Sequence, residues 1–175
     1  PLSVNLPASS LADARLPQQL DGLMRHYRLD ASCLMLELTE TMVMRDVAAA
    51  IGVLDSLRAM GFGLSLDDFG TGYSSLSCLK RLPMSELKID RAFIHDVARG
   101  GRDGALAAAV ITLGVELGLT VVAEGVDTQE QSDFLIGRGC SLQLGFLFSR
   151  PVPQATFEQM LKRRTTRISE AIETA

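Results

Sequence analysis

The sequence predicts an α/β fold in which a parallel sheet is covered by helices. Short β-rich runs alternate with helical runs along the chain, and successive β-α units pair in parallel because each helix returns the chain across the sheet. No glycine-rich dinucleotide turn follows the first β run, which removes the best sign of an open, doubly wound sheet. A closed, TIM-like (β/α)₈ barrel remains. Such a barrel typically takes about 250 residues. The six β-α units in 175 residues therefore predict an incomplete barrel lacking about two N-terminal strands.

The elements follow in order. Ser3 to Leu6 reads as the first strand, and Leu20, Leu23, Met24 and Tyr27 then recur at helical spacing within 18–27. Leu34 to Thr39 is the second strand. Val47, Ile51, Leu54 and Leu57 form the next helix face, with Gly61 as its stop. Phe62 to Leu66 is the third strand, and a short helix over 74–82 ends at Pro83. Leu87 to Ile89 is the fourth. Leu106, Val110, Leu113 and Leu117 make a stripe that Gly118 closes, before a fifth strand over Thr120 to Ala123. Thr128 with Gln131 forms a capping box for the helix that follows. Leu144 to Phe148 is the sixth strand, and a terminal helix runs from Pro153 to about Ile168. No linker divides the chain, so residues 1–175 read as a single domain, with 153–175 as a C-terminal helix and tail.

Composition narrows the function. Apolar residues make up 47% and charged residues 22%, as in a globular domain with a sizeable core. The net charge of -4 argues against a nucleic-acid polymer as partner, so an anionic ligand needs a cation to approach. Cys33, Cys78 and Cys140 are odd in number, widely spaced and set among apolar neighbours. They read as buried reduced thiols of a cytoplasmic protein. No apolar run is long enough to span a membrane. The chain begins inside a strand-like stretch without an initiator Met and reads as part of something longer, whose upstream domains offer a route to membrane tethering.

The polar residues gather at strand ends: Asn5, then Glu37 with Thr39 and Glu40, then Asp67 and Asp68, Lys88 and Asp90, and Glu124. In a barrel those ends share one face, and that face carries the active site. Each residue has a plainer reading. Asn5 and Asp67-Asp68 suit turns, Glu37 suits the wet face of an alternating strand, Lys88 suits the surface, and Glu124 suits a cap. Their common placement argues for one bowl. Carboxylates packed so closely must be partly protonated or hold cations. Asp, Glu and Asn oxygens suit Mg²⁺ or Mn²⁺, and two such ions make a site for phosphodiester cleavage.

The stretch Asp67-Asp68-Phe69-Gly70-Thr71-Gly72-Tyr73-Ser74-Ser75-Leu76 resembles the loop signature of EAL domains. Val4-Asn5-Leu6, Glu37-Leu38-Thr39-Glu40, Leu87-Lys88-Ile89-Asp90, Ala123-Glu124-Gly125-Val126 and Ser149-Arg150-Pro151 match in the same order. The resemblance implies cleavage of cyclic di-GMP to linear pGpG with Mg²⁺ or Mn²⁺, two ions in all. It implies Asn5, Glu37, Asp67, Asp68 and Glu124 as metal ligands, with Lys88 and Glu124 catalytic. Glu40 becomes the anchor of the following loop, and Asp90, Phe146 and Pro151 become substrate contacts. The loop from Phe69 to Leu76 becomes a homodimer contact.

Three departures from the family pattern stand out. The Glu-Ala-Leu segment has no match here. Leu144-Gly145-Phe146 stands where Gln-Gly-Tyr is usual, and the adjacent Gln143 points to the opposite face of a regular strand. Asp127 replaces a second glutamate. Two readings follow: a phosphodiesterase in the parent protein, or a degenerate EAL domain that binds cyclic di-GMP or a protein partner without cleaving it. The isolated 175 residues are expected to be inactive and to be poorly stable or self-associate through open sheet edges.

Overall fold

A computed structural model describes residues 1–70, 76–99 and 101–162. The order is β1 Leu2–Asn5, α1 Ala8–Leu11, α2 Leu16–Tyr27, β2 Leu34–Thr39, α3 Glu40–Arg45, α4 Val47–Ala59, β3 Gly63–Phe69, α5 Leu76–Leu79, β4 Glu86–Ile89, α6 Arg91–Ile94, α7 Arg102–Glu116, β5 Thr120–Ala123, α8 Gln129–Gly137 and β6 Leu142–Gln143. A last helix covers 154–162. All six strands are parallel and pair in sequence order, β1 to β6. This is the curling sheet of a TIM-like barrel.

Period-two alternation gives the sheet two unlike faces. Leu36, Leu38, Leu64, Leu66, Leu87 and Ile89 point outward and are fully buried beneath helix residues such as Leu54, Leu57 and Ile111. The residues between them point inward. Register places Asn5, Glu37 and Ser65 side by side on neighbouring strands, with Glu86 beyond. Greasy sequence is therefore spent on the helix-facing side, and the polar residues line the barrel axis.

Helix boundaries follow local chemistry. Asp46 caps α4 by accepting from the Ala49 amide at 3.0 Å. The capping box of α8 is present: the Thr128 hydroxyl accepts from the Gln131 amide, and the Gln131 side chain accepts from the Thr128 amide.

Several expectations need correction. The first strand lies one residue earlier than Ser3–Leu6. The third runs on through Asp67 and Asp68 to Phe69, because it stays paired to both neighbours. The short helix is Leu76–Leu79, with residues 71–75 outside the described set, as is most of the Phe69–Leu76 loop expected at a dimer contact. The α7 stripe is offset: Gly104, Ala107, Ile111 and Gly114 are its buried residues and Leu106 is exposed, since small side chains let the helix approach the sheet. In α2, Met24 is buried whereas Leu23 and Tyr27 are exposed. Of the cysteines only Cys140 is buried, Cys78 is half-buried and Cys33 is exposed; none is bonded to another.

The largest correction is the sixth strand, Leu142–Gln143 rather than Leu144–Phe148. The chain turns at Gly145, where a Cβ would lie 2.0 Å from the Val126 carbonyl oxygen. The Leu147 amide then bonds Val126 and the Phe148 amide bonds Gly145. The terminal helix is described over 154–162, and its expected continuation lies outside the described residues.

Candidate active site

The ends of four strands converge on Lys88. Its Nζ lies 2.9 Å from Glu37 Oε1, 3.5 Å from Asp67 Oδ1 and 2.6 Å from Glu124 Oε1. Lys88 is 5% exposed and Glu37 is 7% exposed, so this is a buried ion cluster, which excludes the solvent-face reading of both residues. Burial works against the ammonium, but its hydrogen bonds to Glu124 and Glu37 and the charge of Asp67 outweigh it, so the lysine pKa is raised and the group stays charged. One ammonium cannot satisfy all the carboxylates. Glu124 is held above the usual carboxylate range by burial, with Asp67 and Glu37 adding to the effect and Lys88 opposing it.

A bulge explains how consecutive aspartates reach the same place. Leu66 pairs with Leu87 and Phe69 with Ile89, so Asp67 and Asp68 together stand opposite Lys88 alone. Asp68 takes φ +55, in the left-handed region, and its amide donates to Asp67 Oδ1 at 3.0 Å. Burial raises the Asp68 pKa, reinforced by the charges of Asp67 and Asp90 and by a hydrogen bond to Asp90. Asp90 also caps α6, accepting from the Ala92 amide at 2.8 Å. Glu40, 1% exposed at the start of α3, accepts from the Gly70 amide at 2.9 Å, and so holds the beginning of the loop after β3.

The other expected residues surround this centre. Asn5 ends β1 level with Glu37 and is exposed. Leu144 follows Gln143 out of β6, its amide bonding the Ala123 carbonyl at 2.8 Å. It is 52% exposed on the inner face, not buried as an apolar strand residue is expected to be. Gln143 turns the other way: its Nε2 donates to the Ser132 and Cys140 carbonyls at 3.3 and 3.2 Å. It does not stand in for Leu144. Phe146 and Pro151 line a cleft of about 660 Å³ beside Glu124, with Asp127, Arg91 and Arg150.

Sequence reasoning passed over three features. Arg91 pairs with Asp127, the Arg150 guanidinium lies 4.6 Å from the Phe146 ring centroid, and Ser65 donates to Glu86 at 2.8 Å inside the barrel. Arg91 directly follows one matched motif and Arg150 lies within another, a signal that points to them.

Whether a divalent cation suits the site is a question of charge and donors. Glu37, Asp67, Asp68 and Glu124 offer hard oxygens and more negative charge than Lys88 offsets, which fits such an ion. Among the described residues no three Asp, Glu, His or Cys side chains are grouped as a ready metal set; Lys88 stands among these carboxylates instead. Among the described residues no helix is long and apolar enough to cross a membrane.

The chain matches the EAL domain model over residues 1–151. It is 48% identical over 160 residues to the bifunctional diguanylate cyclase/cyclic di-GMP phosphodiesterase MucR of Pseudomonas aeruginosa, covering 91% of this chain and 23% of MucR. The chain thus spans under a quarter of that relative. A structure of the MucR phosphodiesterase in complex with c-di-GMP superposes with a TM-score of 0.84 at 48% identity, covering 89% of this chain and 63% of that one. The EAL domain of Mycobacterium smegmatis DcpA gives 0.87 at 35% identity, covering 93% and 73%. A manganese/cyclic di-GMP complex of Klebsiella pneumoniae BlrP1 gives 0.80 at 38% identity, covering 86% and 38%. The strand-end carboxylates around Lys88, the bulge after Leu66 and the Glu40 anchor are features of a chain that belongs to the EAL domain family.

Proposed function

We propose that the protein containing this chain hydrolyses cyclic di-GMP to linear pGpG in a divalent-metal-dependent reaction. The observation that carries this reading is the buried cluster of Lys88 with Glu37, Asp67 and Glu124 at the strand ends of an EAL domain. Asn5, Glu37, Asp67, Asp68 and Glu124 would hold one or two Mg²⁺ or Mn²⁺ ions. When bound, such ions stabilise the charge that develops on the phosphodiester oxygens.

The chain's own groups do the rest. Lys88, kept charged, donates hydrogen bonds that orient the attacking water. Glu124 accepts that water's proton. The new bond forms between the water oxygen and phosphorus, and the P–O bond to the sugar 3′ oxygen breaks. Glu40 keeps the start of the β3–α5 loop in place. Asp90, Phe146 and Pro151 serve the ligand from the site's rim.

Leu144 supports a second reading, a domain that binds cyclic di-GMP without cleaving it. Its side chain occupies the inner face where a hydrogen-bonding amide is usual, and Gln143 is committed elsewhere. Losing one such transition-state contact costs about 10²–10³ in rate.

Turnover by the parent protein in Mg²⁺ or Mn²⁺, followed by pGpG formation, decides between the two. Lys88→Ala and Glu37→Ala are expected to abolish product, and Leu144→Gln to raise the rate by about 10²-fold. A folded parent that binds the dinucleotide, needs no metal to do so and yields no pGpG establishes the receptor.

A further inference from the structure

The cleft beside Glu124 contains a bridge that the reaction above does not use. Arg91 opens α6, and its aliphatic stem lies across Gly125: a Cβ there would meet Arg91 Cγ at 2.4 Å. Gly125 has φ +71, so the chain turns sharply immediately after Glu124. The Arg91 guanidinium reaches Asp127, Nη2 to Oδ2, at 3.6 Å. Asp127 Oδ1 accepts from the Phe146 amide at 3.3 Å. One carboxylate thereby links α6 to the turn after β6, with the Glu124–Asp127 segment between them.

That segment is held on two further sides. Gln131, buried under the loop, accepts through Oε1 from the Asp127 and Thr128 amides at 2.7 and 3.0 Å, and its Nε2 donates to the His95 carbonyl at 3.1 Å. The Val126 amide bonds the Leu144 carbonyl at 3.0 Å. Glu124 itself is placed at its carboxylate by Lys88 and at its backbone by the Ile89 carbonyl. Its own loop starts one residue later at a glycine, so what fixes Gly125 fixes the angle at which Glu124 leaves β5.

We propose that Asp127, acting with Arg91, is a positioning residue that sets the reach of Glu124 toward Lys88. This rests on the reading of Glu124 as part of the reaction centre. The Arg91 and Asp127 side chains are 62% and 34% exposed, and ion pairs this open contribute little to global stability. The consequence of the bridge is therefore local, in the geometry of Glu124 rather than in melting. Both Asp127 contacts are long, so the longer side chain of Glu at this position spans the same gap.

The test compares Asp127→Ala, Arg91→Ala and the double variant in the full parent protein. Arg25→Ala serves as the control, since it removes an exposed ion pair to Asp21 on the distant α2. Turnover of cyclic di-GMP, Mn²⁺ affinity without nucleotide, and melting temperature are measured. Each single variant is expected to lose about 10-fold in kcat and about 10-fold in Mn²⁺ affinity, with KM within about twofold, as for groups that orient a ligand from behind. Melting should match the control. The double variant should be no worse than either single, and Asp127→Glu and Arg91→Lys should restore both readouts.

Kinetics and Mn²⁺ affinity that track Arg25→Ala overturn the proposal. So does a rise in KM at constant kcat, which makes the pair a direct substrate contact, and so do losses that multiply in the double variant. A parent that binds Mn²⁺ but yields no pGpG defeats the phosphodiesterase reading while the Mn²⁺ comparison still decides the bridge. A parent that binds no Mn²⁺ overturns both.

Discussion

Asp68 shows how much a single backbone angle contributes to this site. At φ +55 it adds the extra residue that lets Asp67 and Asp68 both face Lys88. Asn tolerates the left-handed region and a β-branched residue does not. Asp68→Val is therefore expected to cost about 1–3 kcal/mol in denaturant unfolding, and Asp68→Asn much less. The pair also gives a pH signature. Because burial and neighbouring carboxylates raise the Asp68 pKa, its contribution to stability is complete below the ordinary carboxylate range and is lost as pH rises through the raised folded value. Asn cannot ionise. The melting temperature of Asp68→Asn relative to the natural protein should climb as pH rises from below 3.8; a difference that narrows over that window contradicts the raised pKa. The identity of the strand-end residues was legible in the sequence, because alternation of Leu with Glu, Ser or Lys marks which side chains share a face. The bulge was not legible. It depends on pairing to two neighbouring strands, a non-local fact, and Asp-Asp before Phe-Gly is equally at home in a turn.

At the scale of elements, local signals succeeded and context-dependent ones failed. The capping box of α8 was readable because a cap is a contact between residues three apart. Thr128→Ala should cost about 1 kcal/mol, measured by denaturant unfolding. The sixth strand failed for the opposite reason. Leu144 to Phe148 is apolar enough for a strand, but the Val126 backbone occupies the space beside Gly145 and the chain turns there. Gly145→Ala places a methyl group against three backbone atoms of Val126. It should destabilise by about 1–3 kcal/mol, the range for forced overpacking, and should disturb activity more than Thr128→Ala does, because Leu144 and Phe146 flank that glycine. A Gly145→Ala protein that unfolds and turns over like the natural one shows that the 144–148 turn yields easily. The α7 stripe carries the same lesson. A helix read by itself shows its largest apolar residues, whereas the sheet selects the small ones that allow close approach.

For the molecule as a whole, the inner face of the barrel collects charge that the outer face cannot offset. Four carboxylates and one ammonium meet at the strand ends, and the remaining balance must come from protons or from cations. Without a cation, rising pH ionises Asp68 and Glu124 against their surroundings, and both contributions to stability decline as pH climbs above the ordinary carboxylate values. Lys88 has the same sign in a higher window: its raised pKa means that its stabilising charge is complete below 10.5 and fades only above that value. As its carboxylates ionise, the site becomes short of positive charge. Mn²⁺ or Mg²⁺ added at about a hundred times its dissociation constant should then stabilise the parent protein by about 2.7 kcal/mol. The gain should shrink as pH falls, because protons compete for the same oxygens at a higher pH than for ordinary carboxylates. Thermal melts with and without the ion across pH 4–8 check this. A cation effect that is flat with pH, or that survives Asp67→Asn together with Asp68→Asn, places the ion somewhere other than the strand ends around Lys88.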